Sequence, residues 1–220
     1  MHYTELIEAS RIFRSSEDTY DWAWRRAKKI DWLKLDELTD EVIKEEVLGF
    51  LNRWSCRIPV TDELVSRIRG SFQYRKEMFP ELSSFGLDTF EEDLGKKIGN
   101  SGMNLSEVMI QLFRDFTMIG DRFRDVAASK TLHMILPKLF VMWDNAIREA
   151  YNIDKSPSGY VYDFIPMMAS HAREAITTFA AEREVNLEEA HRGISELCGG
   201  RTLAKVVDEY NYLRYTSGII

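Results

Sequence analysis

Cysteine is scarce. It occurs at Cys56 and Cys198 alone, with no paired spacing. That excludes a disulfide framework and a structural zinc site, and two isolated thiols fit a reducing cytoplasm. Proline occurs five times in 220 residues, and no run of β-branched residues alternates with polar ones as a half-buried strand requires. No apolar run approaches the ~20 residues needed to cross a bilayer. The opening residues, MHYTELIEASRIF, are amphipathic rather than the apolar core of a signal peptide. GxGxxG, the P-loop, GxSxG and HExxH are all missing, so nucleotide-dependent transfer and serine hydrolysis have no support. A net charge of −7 argues against a protein that coats nucleic acid with its whole surface.

What the chain does have is helical periodicity. With 45% hydrophobic and 30% charged residues it has an ordinary globular composition, and its length buries an ample core with no cofactor or metal to help. The expected class is all-α, one helical domain over residues 1–220. Residues 79–104, punctuated by Pro80, Gly86, Gly95, Gly99 and Gly102, are the place for a boundary between two lobes or for a mobile lid. A first helix is expected over residues 3–13 and a second from Ser16 or Asp18 to Leu33, carrying Trp22, Trp24 and Trp32. Thr39 and Thr61 are expected to cap the next two, and Asn104 or Ser106 the clearest one. Tyr160 to Ala181, Asn186 to Cys198 and Thr202 to about Tyr212 complete the set. Gly199-Gly200 provides a stop before the last of these. Val108, Leu112, Phe116, Leu132, Ile135, Phe140 and Ile147 are expected in one core.

Charge is segregated. Between Arg53 and Lys76 six bases (Arg53, Arg57, Arg67, Arg69, Arg75 and Lys76) face two acids, Asp62 and Glu63. A basic face with Trp54, Phe72 and Tyr74 interleaved suits a phosphate backbone and unstacked bases. It suits equally an amphipathic helix whose aromatics pack inward. His171 and Glu174 stand one helical turn apart, the spacing of a metal pair in a bundle, but no matching pair exists elsewhere, so no metal is expected.

The richest stretch is DVAASKTLHMILPKLFVMWDNAIREAY, Asp125 to Tyr151. It sets Lys130, His133, Trp143, Asp144 and Arg148 among apolar residues. Pro137 must end the first helix at or before Leu136. Asp144 then stands where the next helix begins, and a carboxylate there is favoured by free N–H groups and by the helix dipole. By residue type alone Asp144 is a helix cap, Lys130 a snorkelling lysine, His133 a hydrogen-bonded core histidine and Trp143 core.

The segment LPKLFVMWDNAIREAY, with Lys130 on the helix before it, resembles the helix-hairpin-helix DNA glycosylases over Lys130 to Tyr151. In that family an apolar connector ends in an aspartate that begins a helix. The resemblance implies that Lys130 attacks the sugar carbon of a damaged nucleotide and that Asp144 stabilises the positive charge that develops. His133, Trp143 and Asn145 would line the pocket, and Arg148, Arg53 and Arg57 would hold phosphate. The family's glycine-rich hairpin before the lysine is missing; Met118-Ile119-Gly120-Asp121 occupies its place. The resemblance therefore implies DNA as partner, either for an active N-glycosylase/lyase or for a relative that keeps the scaffold without activity. The alternative from the residues alone is a non-enzymatic helical module that binds a protein partner.

Overall fold

The computed structural model of the protein describes residues 1–16, 22, 38–99, 102–121 and 124–220. Among these residues there is no strand, only an isolated antiparallel bridge between Lys97 and Asn104. The fold is all-α. Apart from Trp22, the helix expected between Ser16 and Leu33 lies outside the described residues.

Among the described residues the main helical stretches are, in chain order, α1 Tyr3–Ser16, α2 40–53, α3 Asp62–Arg75, α4 Phe79–Leu82, α5 Phe90–Asp93, α6 Leu105–Thr117, α7 Asp125–Ile135, α8 Asn145–Ala150, α9 159–183, α10 Leu187–Leu197 and α11 203–216, with the 3₁₀ turn Lys76–Met78 joining α3 to α4. Their starts have a common cause. The first-turn N–H groups of a helix have no partner within it, so short polar side chains placed just before it accept from them. Thr39 accepts from Val42, Thr61 from Leu64 and Thr202 from Lys205. Asn104 with Glu107, and Asn186 with Glu189, form reciprocal capping boxes. Gly199 and Gly200, at φ 74° and 76°, close α10 in the left-handed region that glycine enters without strain. Helix α9 opens as a π-turn through Phe164, and Pro166 follows where the ladder changes to α bonding.

The short helices α4 and α5 occupy the glycine-punctuated region. Their side chains Phe79, Leu82 and Phe90 are buried in the same apolar cluster as Leu112 of α6 and Phe164 of α9. The seven residues expected to share a core, Val108 to Ile147, are all buried there. No helix among the described residues is long and apolar enough to cross a membrane.

Helix α7 is enclosed by its neighbours. Ala127 to Ile135 are buried without a break, so its polar residues face protein on every side and each needs a partner. The segment after it, Leu139 to Trp143, is also buried and is neither helix nor strand, so its backbone groups cannot be paired by regular structure. The two needs answer each other. His133 Nδ1 lies 2.7 Å from the Phe140 carbonyl, and Ser129 Oγ accepts from Trp143 N at 3.3 Å. From outside α7, the Tyr160 hydroxyl donates to the Val141 carbonyl at 2.5 Å. Thr202 donates to the Pro137 carbonyl at 2.7 Å, and Leu87 N to that of Lys138 at 2.9 Å.

Candidate functional site

The connector delivers Asp144 to the start of α8. One carboxylate oxygen accepts from Ile147 N at 2.9 Å, and the other accepts from the Thr216 hydroxyl at 2.7 Å. Asp144 is thus a helix cap tied to the end of α11. Lys130 leaves α7 toward the C-terminal end of α2. That helix ends with Ser55 in the left-handed region (φ 62°), with Cys56 N bonded to the Leu51 carbonyl and Ser55 N to that of Asn52. Both Asn52 side-chain groups bond the backbone of Ile58 and hold this turn. The turn presents the Trp54 carbonyl to Lys130, whose amine donates to it at 3.1 Å and lies 5.5 Å from the centre of the Trp54 ring. Lys130 is 7% exposed. Among the described residues its amine forms no ion pair.

Lys130 and Asp144 line one cleft of about 530 Å³, together with Arg53, Trp54, Asn145, Asp208 and Tyr212. The volume is that of an ordinary small-molecule site. A buried charge cluster on and just before α11 meets the cleft at Asp208. Lys205 donates to Asp208 at 2.6 Å and stands 3.9 Å from Glu209, while Arg201 donates to Glu209 at 2.5 Å. Burial pushes the Asp208 carboxyl upward and Lys205 pulls it back. Burial likewise raises Glu209. The Lys205 amine also sits 4.3 Å from the centre of the Phe13 ring and 5.2 Å from that of Trp54, so the Trp54 indole is approached by two lysines.

The other residues singled out from the sequence are dispersed. Trp143 lines the cleft but is almost wholly buried. It is 1% exposed and packs against Phe113, Tyr160 and Phe164, so it is a wall and not a stacking platform. His133 does not line the cleft. It is fully buried against the connector, and burial lowers its pKa to about 3. Asn145 lines the cleft and a neighbouring depression, and Arg148 only the latter. Arg53 is exposed at the cleft rim with its guanidinium 3.9 Å from the centre of the Trp22 ring. Arg57 is exposed in the left-handed region (φ 51°) and does not line the cleft. The basic stretch is not a free face. Arg67 pairs with Glu63, Arg69 with Asp40, and Arg75 with Asp115 at 2.6 Å. Phe72 packs inward on Phe116, while Tyr74 stays exposed. Glu174 takes the Met1 amino group. Among the described residues no three His, Cys, Asp or Glu side chains group as a metal site would need.

Sequence reasoning missed Asp208, Lys205, Tyr212 and Thr216. A signal was there: in LAKVVDEYNYL, Lys205, Asp208 and Glu209 interrupt the apolar face at one-turn spacing. Charges so placed on a helix that must bury most of its surface imply buried pairing. Neither thiol is a candidate nucleophile, since burial raises Cys56 and brings Cys198 to about 11. Comparison of the chain with protein-family models, curated proteins and solved structures gave no match.

Proposed function

We propose that the chain binds nucleic acid and draws one extruded nucleotide into the Lys130–Asp144 cleft, in the manner of the helix-hairpin-helix DNA glycosylases. The observation that carries this reading is the partner of Lys130. Its amine, nearly enclosed on the floor of a cleft shared with Asp144, is held by a neutral carbonyl instead of a carboxylate. A tight ion pair would hold a lysine in place, whereas an amine held by a single carbonyl can leave it and turn to a ligand in the cleft. A base inside the stack is out of reach of such a site, so the nucleotide must be extruded.

In the reaction the free amine attacks the sugar C1′. The C1′–Nζ bond forms as the glycosidic bond breaks, the base departs with the bonding pair, and the proton shed by the amine passes to the departing base. The C1′–O4′ bond then opens, the remaining Nζ proton passes to O4′, and the C1′=Nζ imine that results is what borohydride reduces. Asp144 places negative charge beside the sugar as it becomes positive. Two unpaired thiols, one of them fully buried, fit a cytoplasmic location.

A second reading is favoured by a separate observation. Tyr74 and Met118 are exposed side by side, lining one shallow depression with Arg67 and Ile119. Exposed apolar side chains rimmed by polar ones, here Arg67, Ser71 and Asp115, are what a protein partner can cover.

Borohydride trapping on DNA carrying an abasic site or oxidised guanine tests the first reading. The expected result is a covalent adduct that disappears in Lys130→Gln. Salt-sensitive binding without an adduct would reduce the cleft to a scaffold that binds without reacting. Neither adduct nor salt-sensitive binding would leave the protein-partner reading standing alone.

A further inference from the structure

We propose that the depression beside the cleft is a phosphate-binding subsite, which takes the backbone phosphate next to the nucleotide held at Lys130. This rests on the nucleic-acid reading above. The depression measures about 560 Å³ and shares Ser55, Val126 and Asn145 with the main cleft, so one extended ligand can occupy both. Three cations line it, Arg124, Arg148 and Lys155, against the single carboxylate of Asp125.

Two of these cations, Arg124 and Lys155, differ from the paired arginines of the Arg53–Lys76 stretch in being largely unspent. Among the described residues neither Arg124 nor Lys155 forms an ion pair; Arg124 donates only to the Asp121 carbonyl, at 2.8 Å. Arg148 gives one nitrogen to the Ile153 carbonyl at 3.1 Å and another to the mostly exposed Glu149 at 3.2 Å. Its Nε is buried with no hydrogen-bond partner among the described residues, and a buried donor left so is costly unless a ligand takes it up.

The backbone adds to the same depression. Asp125, Val126 and Ala127, the first turn of the 11-residue helix α7, line it, and no side chain caps that helix. Its first-turn amides are left for solvent or for an anion, and the helix dipole favours the anion. A tetrahedral oxyanion is the ligand class that uses a guanidinium fork, an ammonium and backbone N–H groups together. The subsite supplies the phosphate grip that the missing glycine hairpin would otherwise provide.

The test uses the full chain and the double variant Arg124→Gln/Lys155→Gln, both positions lying outside the main cleft. Binding to a duplex with one tetrahydrofuran abasic analogue is titrated at several salt concentrations. The expected result is weaker binding and a log K against log salt slope shallower by about one, the signature of one lost phosphate contact. Arg192→Gln, an exposed cation of α10 that lines neither the cleft nor the depression, should keep the wild-type slope. In a second arm, inorganic phosphate is added at constant ionic strength while the arginine Nε–Hε resonances are followed. Phosphate, but not chloride, should move the Arg148 signal in the wild type and leave it still in the double variant.

An unchanged slope with no phosphate-dependent shift would overturn the subsite while leaving the Lys130 reading intact. Phosphate shifts without any DNA binding would overturn the nucleic-acid backbone as the source, and with it the Lys130 reading, while the anion site itself holds.

Discussion

His133→Asn should make the protein less sensitive to acid. The wild-type ring is fully buried, with its pKa lowered to about 3 by desolvation, against 6.5 for an ordinary histidine. Its Nδ1 faces a carbonyl, so Nδ1 carries the proton of the neutral ring and donates. Above pH 6.5 the ring is neutral in both folded and unfolded chains and contributes no pH dependence. Below pH 6.5 the unfolded chain binds a proton that the folded chain refuses until the pH nears 3, so stability falls across that window. At pH 5 the unfolded form has gained 1.5 pH units of protonation, which at 1.36 kcal/mol per unit is about 2 kcal/mol. A folded value one unit higher would barely change this figure, because the ring would still be neutral at pH 5. Asparagine keeps a donor near the place of Nδ1 and cannot titrate. Urea unfolding of both proteins at pH 7.5 and pH 5 isolates the effect, because carboxylates that also respond to acid are common to the two. The wild type should lose about 2 kcal/mol more than the variant. Parallel losses, or a His133 ring signal that titrates near pH 6, would refute the reasoning.

Asp144→Ala should destabilise by on the order of 1 kcal/mol through the lost cap on α8, and should free the end of α11, whose Thr216 bonds the same carboxylate; urea midpoints and amide exchange at Thr216 measure the two effects. Lys205→Met should destabilise by roughly 3–5 kcal/mol near neutral pH, because it strands Asp208 in the interior and leaves Glu209 with Arg201 alone. The deficit should shrink as pH falls, since a protonated carboxyl costs less to bury, and an equal deficit at pH 7.5 and pH 5 would contradict this.

The local signals were legible from residues alone. Thr39, Thr61, Asn104, Asp144 and Asn186 all cap the helices their side chains suit, and Pro137 ends α7 as its ring demands. Caps and proline stops act within one turn, so sequence neighbours suffice to read them. The all-α class follows from the same signals and from periodicity.

The grouping of polar residues was a different matter. Lys130, His133, Trp143 and Arg148 lie within one stretch of sequence, yet each points to a separate environment: the cleft, the buried connector, the aromatic core and the cationic depression. Residues three apart on a helix share a rough face, but which neighbour fills that face is set by long-range packing. The carbonyl that holds Lys130 comes from Trp54, 76 residues away. Asp208 reaches the cleft only because α11 packs near α8 and beside α1. Likewise the arginines of the Arg53–Lys76 stretch form a basic run in sequence, but Asp40 and Asp115, from outside that run, neutralise two of them. The sequence by itself determined where helices start and stop and which residues are apolar enough to be buried. The tertiary structure alone decided which charges remain unpaired and which cavity they face, because pairing and desolvation depend on distances between segments that the order of residues does not encode.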